Sequence, residues 1–185
     1  SDEVPLSGGI IFLLSILIFY EPEFFQFRII LLAIFLIGMF SDINFISSPI
    51  KRITLQIMVI SVFLYVIPTY IHSVRWDFFD YYLQNSYLGY FFTLLCLTVL
   101  INGSNFMDGL NIFVVGYFLI VTYLMFNLSN DFNLNLDFYL IKIVLAILLV
   151  IFVFNFFGLL FLGDGGAYLI SFVLGYTLIN FSNDN

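Results

Sequence analysis

The sequence predicts an all-α protein, a polytopic transmembrane helical bundle of about seven spans, and three observations carry that reading. Of 185 residues, 63% are hydrophobic and only 9% are charged, against about 25% in a soluble domain. The apolar residues gather in seven runs separated by polar breaks. Within each run they are near-continuous, where a membrane barrel strand would alternate. In lipid only helices and closed barrels satisfy the whole backbone, so these runs read as helices. A soluble fold of this size has no interior large enough for so much apolar surface. Soluble enzymes, nucleic-acid binders and disordered chains are excluded.

The charge points the same way. Twelve acids against five bases leave a net charge of −7, the wrong sign for nucleic acid. The lipid bilayer is the expected surrounding. Acids in such a chain are costly and tend to mark sites, so their positions matter more than their number. The single cysteine, Cys96, lies in an apolar run and reads as a small hydrophobe. Ser1-Asp2-Glu3 lacks the basic start of a signal peptide. Residues 1–185 read as one transmembrane domain without an internal repeat.

The runs cover residues 8–20, 27–40, 53–71, 87–101, 110–126, 138–157 and 166–181. A span needs about 20 residues, so several must draw on their polar ends. The third extends from Pro49 to Ile71, with Ser48 as cap and Pro49 in the first helical position. The breaks fall into two sets. Residues 21–26, 72–86 and 128–137 are composed like surface loops, and Trp76, Phe78, Phe79, Tyr81 and Tyr82 suit an interfacial belt. Residues 1–7, 41–52, 102–109 and 158–165 are compact and rich in Gly, Asn, Ser and Asp. Seven passes put all four of these on one side of the membrane, where they read as a single site. Lys51 and Arg52 on that side face Arg28, Arg75 and Lys142 on the other, too few to fix the orientation.

Three segments of that set can carry chemistry. In Asn102-Gly-Ser-Asn105-Phe-Met-Asp108-Gly-Leu-Asn111, residues three apart stay on one side of a helix, so two amides and a carboxylate can line a polar cavity. The segment reads equally as a helix end unravelling at the interface. In Phe161-Leu-Gly163-Asp164-Gly165-Gly166-Ala167, glycines expose backbone N–H groups at a helix start, a seat for an anion. Its acid can hold a hard cation such as Mg²⁺, or be a plain cap. Asp42, followed by Lys51 and Arg52, is a helix-ending acid with snorkelling anchors, or a cationic pair for a lipid phosphate.

Together the motifs carry a resemblance. Val4-Pro5-Leu6-Ser7-Gly8-Gly9-Ile10, Asp42 with Ser-Pro-Ile-Lys-Arg behind it, the Asn-x-x-Asn-x-x-Asp-Gly-Leu-Asn segment, Asn155 and Phe-x-Gly-Asp-Gly-Gly-Ala occur in an order that resembles one family. It is the polyprenyl-phosphate N-acetylhexosamine-1-phosphate transferases, relatives of phospho-N-acetylmuramoyl-pentapeptide transferase, and the start resembles the branch using UDP-N-acetylglucosamine. The resemblance implies a cytoplasmic site in a bacterial inner membrane. There polyprenyl (undecaprenyl) phosphate would attack a UDP-sugar, UMP would leave, and a lipid-linked sugar of a cell-envelope glycan pathway would form. Mg²⁺, or Mn²⁺, is implied with Asp164 as ligand. Asp42 and Asp108 join Asp164 as catalytic candidates. Asn102, Asn105, Asn111, Gly163, Gly165, Lys51 and Arg52 become substrate-binding candidates, and a homodimer is compatible. Two departures stand out: Ser41 replaces the first of the family's paired aspartates, and Asn111 replaces a second Asp. The family's roughly ten spans and late His-rich loop are also missing, which implies the truncated core of a larger protein, inactive alone. The alternative is a degenerate, non-catalytic homologue serving as a membrane scaffold or lipid-binding protein.

Overall fold

The computed structural model describes residues 6–22, 25–108, 112–132 and 138–184, the side chains of 108, 129–132 and 184 aside. The described residues form eight helices and no strand: α1 (Gly8–Phe19), α2 (Phe25–Asp42), α3 (Pro49–Val66), α4 (Asp77–Leu83), α5 (Ser86–Asp108), α6 (Phe113–Phe132), α7 (Phe138–Phe156) and α8 (Gly163–Asp184). Seven match the seven apolar runs. The eighth, α4, is a short helix inside the aromatic-rich 72–86 break.

Five helices are long and apolar enough to cross a membrane: Phe25–Asp42, Pro49–Val66, Ser86–Met107, Phe138–Phe156 and Gly163–Asn183. Gly8–Phe19 and Phe113–Leu128 are apolar but shorter. The expected seven spans are therefore five by length, with α1 and α6 completing the up-and-down order. α1, at about 1.5 Å per residue, falls well short of a hydrocarbon core of about 30 Å. α3 stops at Val66 rather than Ile71. Ile67 precedes Pro68 and turns extended (φ −120°, ψ 90°), as the clash with a following proline ring requires. Pro49 does open α3, but the Ser48 side chain makes no capping bond. Two other ends use left-handed residues. Asn44 (φ 59°) turns the chain after α2. Gly158 (φ 66°) closes α7 with Leu159 N–H on the Phe154 carbonyl at 2.9 Å and its own N–H on Asn155 at 3.0 Å, the Schellman pattern.

α8 is the hub. It packs on α1, α2, α5 and α6, and residues 165–175 are buried without interruption. A helix apolar all round belongs inside a bundle. Its Phe172 meets Phe63 edge-on at 4.9 Å. In lipid the hydrophobic effect does not drive such contacts, so close backbone approach must. Glycines supply it: a Cβ on Gly38 would stand 2.4 Å from Gly165 Cα, and one on Gly9 2.7 Å from Gly166 Cα. The Gly8 and Gly9 N–H groups also bond the Phe161 and Leu162 carbonyls at 3.0 and 3.2 Å.

At one end lie the starts of α1, α3, α6 and α8 and the ends of α2, α5 and α7, as parity requires. At the other end, Asn183 donates to the Tyr70 carbonyl at 2.7 Å and Ser182 to that of Ser73 at 3.0 Å. There Asp80 accepts the Ser73 hydroxyl at 2.6 Å and the Val74 N–H at 2.7 Å. Those bonds hold its carboxyl below the usual carboxylate range.

The glycine contact is open to test. Gly38→Ala should lower unfolding stability in detergent by about 1–3 kcal/mol, because backbone rather than a flexible side chain must give way. Gly103→Ala meets open space and should stay within about 0.5 kcal/mol of wild type.

Candidate active site

The site is built where α2 ends, α3 begins and α8 begins. Asp42, the last residue of α2, turns its carboxylate onto the start of α8. Its Oδ1 accepts the Asp164 N–H at 2.8 Å and its Oδ2 the Gly165 N–H at 3.2 Å. The seat expected for a ligand anion at this helix start is thus filled by the protein's own carboxylate. The physics is as expected, since unpaired N–H groups and the positive end of the helix dipole favour an anion. Only the identity of the anion differs. Gly163 and Gly165, expected to bind substrate, both lie against α2. Gly163 is left-handed (φ 72°), with Asp42 Oδ2 2.9 Å from where a Cβ would stand, and Gly165 lies against Gly38.

Neighbouring Ser41 reaches the side chain of Asp164. Its hydroxyl donates to Asp164 Oδ2 at 2.5 Å and accepts from Arg52 Nη1 at 2.7 Å. Arg52 Nη1 also lies 3.1 Å from Asp164 Oδ2, an ion pair about one-quarter exposed on both sides. So Ser41, where the resemblance expected an aspartate, joins a cation and an anion as donor to one and acceptor from the other. Lys51 does not share the site; it is exposed and makes no hydrogen bond or ion pair with the described residues.

One turn inward on each helix the polar surface continues. Gln56 follows Arg52 by four residues on α3 and is wholly buried. Tyr168 follows Asp164 by four on α8 and its hydroxyl sits beside Arg52 and Gln56. From α5, Asn102 donates to Gln56 Oε1 at 2.7 Å and to the Thr98 carbonyl at 2.8 Å. Asn105 has a buried Oδ1 with no hydrogen-bond partner among the described residues. Ser104 shares a buried hydroxyl bond with Ser171 of α8. Asn155 of α7 accepts the Ile112 N–H at 2.7 Å and donates to the Leu160 carbonyl at 3.0 Å, tying α6 to the α7–α8 turn. Asn111 and the side chain of Asp108 lie outside the described residues. Gln56 and Tyr168 escaped the reading of the sequence, though spacings of four from Arg52 and Asp164 mark both.

Among the described residues no three of His, Cys, Asp and Glu cluster tightly enough to hold a metal. Asp42 fits less well as a ligand, because a backbone N–H already occupies one lone pair of each oxygen. Asp164 does fit, as a seat with one carboxylate. Its Oδ2 is engaged, while its Oδ1 accepts no bond from the described residues. Mg²⁺ often binds by one or two carboxylates plus substrate phosphates.

An Arg, a half-free carboxylate and a row of amides, gathered at one end of an apolar bundle, suit a phosphorylated ligand presented at the membrane. The profile of glycosyl transferase family 4 matches residues 24–182. The chain belongs to that family. No curated protein and no solved structure matches it. The match runs from the start of α2 almost to the end of α8 and so contains every residue of the site described above. Membership in glycosyl transferase family 4 makes the chain a transferase of a phospho-sugar to a polyprenyl phosphate in general terms. The multiple apolar helices agree with a multi-pass membrane protein.

The capping role of Asp42 can be measured. Asp42→Ala should cost about 1–2 kcal/mol of stability, as for lost helix caps. Hydrogen exchange at the Asp164 and Gly165 amides should accelerate, while amides near Phe172 change little. Asp42→Asn, which keeps one accepting oxygen, should fall between.

Proposed function

We propose that the chain transfers N-acetylhexosamine-1-phosphate from a UDP-sugar to undecaprenyl phosphate, releasing UMP at the cytoplasmic face of a bacterial inner membrane. The observation that supports this most directly is the Ser41–Arg52–Asp164 cluster at the end of the bundle where α2, α3 and α8 meet. In the reaction an oxygen of the lipid phosphate forms a bond to the sugar-linked phosphorus, the bond from that phosphorus to the UMP oxygen breaks, and UMP carries away the electron pair. Such transfer rests on positioning and charge neutralisation. Arg52 is placed to bind a phosphate oxygen through a charge-assisted hydrogen bond. Ser41 keeps the guanidinium and carboxylate in register. Asp164 offers Oδ1 to Mg²⁺, or to Mn²⁺, which when bound neutralises the diphosphate and polarises the phosphorus under attack. Asp42 acts on the start of α8 and so positions Asp164.

The activity is tested with the full-length protein in detergent, given UDP-N-acetylglucosamine, undecaprenyl phosphate and Mg²⁺. UMP release is expected from wild type. Asp164→Asn should reduce it at least about a hundredfold, the scale of losing one electrostatic stabiliser of a transition state. His72→Ala, at the opposite end, should be near wild type. No Mg²⁺-dependent UMP release by wild type would refute the reading.

The orientation has its own test in a Cys96→Ala background. Ser47→Cys should resist an impermeant thiol reagent in intact cells, and Gln84→Cys should react. Both positions are exposed, so access across the membrane decides the outcome.

A further inference from the structure

A lone glutamine with no access to solvent, in the middle of an apolar helix, needs a physical reason. An amide group buried without a full set of partners is destabilising, and Gln56 is 0% exposed. Its Nε2 makes no hydrogen bond of good geometry among the described residues, although the Tyr168 hydroxyl lies beside the amide. Its Oε1 accepts from Asn102 Nδ2 at 2.7 Å.

That contact fixes the polarity of Asn102. The Thr98 carbonyl can only accept, so the Asn102 atom 2.8 Å from it must be the nitrogen. A side-chain amide nitrogen carries two hydrogens. One goes to Thr98 and the other to Gln56, so both donors are spent inside the protein. Only Oδ1 remains, and it accepts no hydrogen bond from the described residues. Asn102, only partly buried, thus offers a ligand an acceptor and no donor. Without Gln56 one hydrogen would be free and the amide could turn it outward.

We infer that Gln56 is a positioning residue that holds Asn102 as an acceptor, so that this part of the site selects a hydroxyl or imide N–H of the ligand and rejects a phosphate oxygen. Phosphates are left to Arg52 and Asp164 on the other side of the cluster. The inference rests on the proposed reaction for its ligand, a nucleoside diphosphate sugar. That ligand carries both chemistries: donors on ribose, uracil and sugar, and a diphosphate between them.

The test uses the full-length protein in detergent and three probes: UDP-N-acetylglucosamine, UMP and inorganic pyrophosphate. In Gln56→Met, close in shape but without an amide, the Kd for UDP-N-acetylglucosamine should rise about tenfold, the scale of one hydrogen bond. The Kd for pyrophosphate should stay within about twofold. Gln56→Glu, whose carboxyl still accepts from Asn102, should restore binding to within about threefold of wild type. A matching loss for UMP assigns the donor to the nucleoside, and an unchanged UMP assigns it to the sugar. Equal losses for all three probes, no loss for any, or Gln56→Glu behaving like Gln56→Met would overturn the inference. So would a wild type that binds neither nucleotide. Binding needs no turnover, so a wild type that binds as expected yet releases no UMP refutes the reaction and leaves the role of Gln56 standing.

Discussion

The two bonds from the Asp42 carboxylate to the Asp164 and Gly165 N–H groups hold the site in place. A helix begins with N–H groups that its own turns cannot satisfy, and in a bundle surrounded by lipid water is scarce for the purpose. Asp42 meets that need from α2 and brings a negative charge to the positive end of the α8 dipole. The contact works only because α2 and α8 approach to glycine distance at Gly38 and Gly165. With α8 pinned there, the neighbouring carboxylate of Asp164 points back to Ser41 and Arg52. Cap, close packing and cluster form one arrangement, and the loss of any part loosens the others.

The charges at this end are economically disposed. A paired carboxylate and guanidinium still suffer desolvation, and the exchange is favourable only where geometry is good and remaining polar atoms are satisfied. Ser41 improves the geometry, because one hydroxyl serves both ions. The pair stays about one-quarter exposed, so under the proposed reaction a ligand phosphate would compete for Arg52 without first extracting it from a dry core, and would free Asp164 in the same event. The cluster is therefore an arrangement in which each charge is compensated by its neighbours.

Much of this architecture was legible in the sequence, and the exceptions have physical causes. The seven apolar runs predicted seven helices because every backbone group in lipid must bond within its own segment. Parity then placed 41–52, 102–109 and 158–165 at one end, and the bonds of Ser41, Arg52, Asn102 and Asn155 agree. Proline at 68 should have ended α3 at Val66, but hydropathy continued to Ile71 and hid it. From sequence, the glycines beside Asp164 indicate a backbone seat for a ligand anion. The seat is real, yet the carboxylate that fills it comes from Asp42, more than a hundred residues earlier, and local composition cannot reveal such a partner. Lys51 and Arg52 looked interchangeable in sequence. Helical geometry separates them by about 100°, and only Arg52 faces α8.

The same geometry explains why the polar residues form a row. Steps of four carry Arg52 to Gln56 on α3 and Asp164 to Tyr168 on α8, while Asn102 enters from α5. Each lies one turn deeper than the ionic cluster or meets a residue that does. Polar groups in a membrane interior are costly alone and cheaper as a chain in which each satisfies the next. The row therefore joins three helices by hydrogen bonds at the depth where apolar packing would leave them free to slide. It also separates two chemistries along one line: full charges at the end of the bundle, and neutral amides and a phenol one turn below. The nucleoside diphosphate sugar of the proposed reaction would match that sequence of environments, whereas a bare phosphate would match only its outer half.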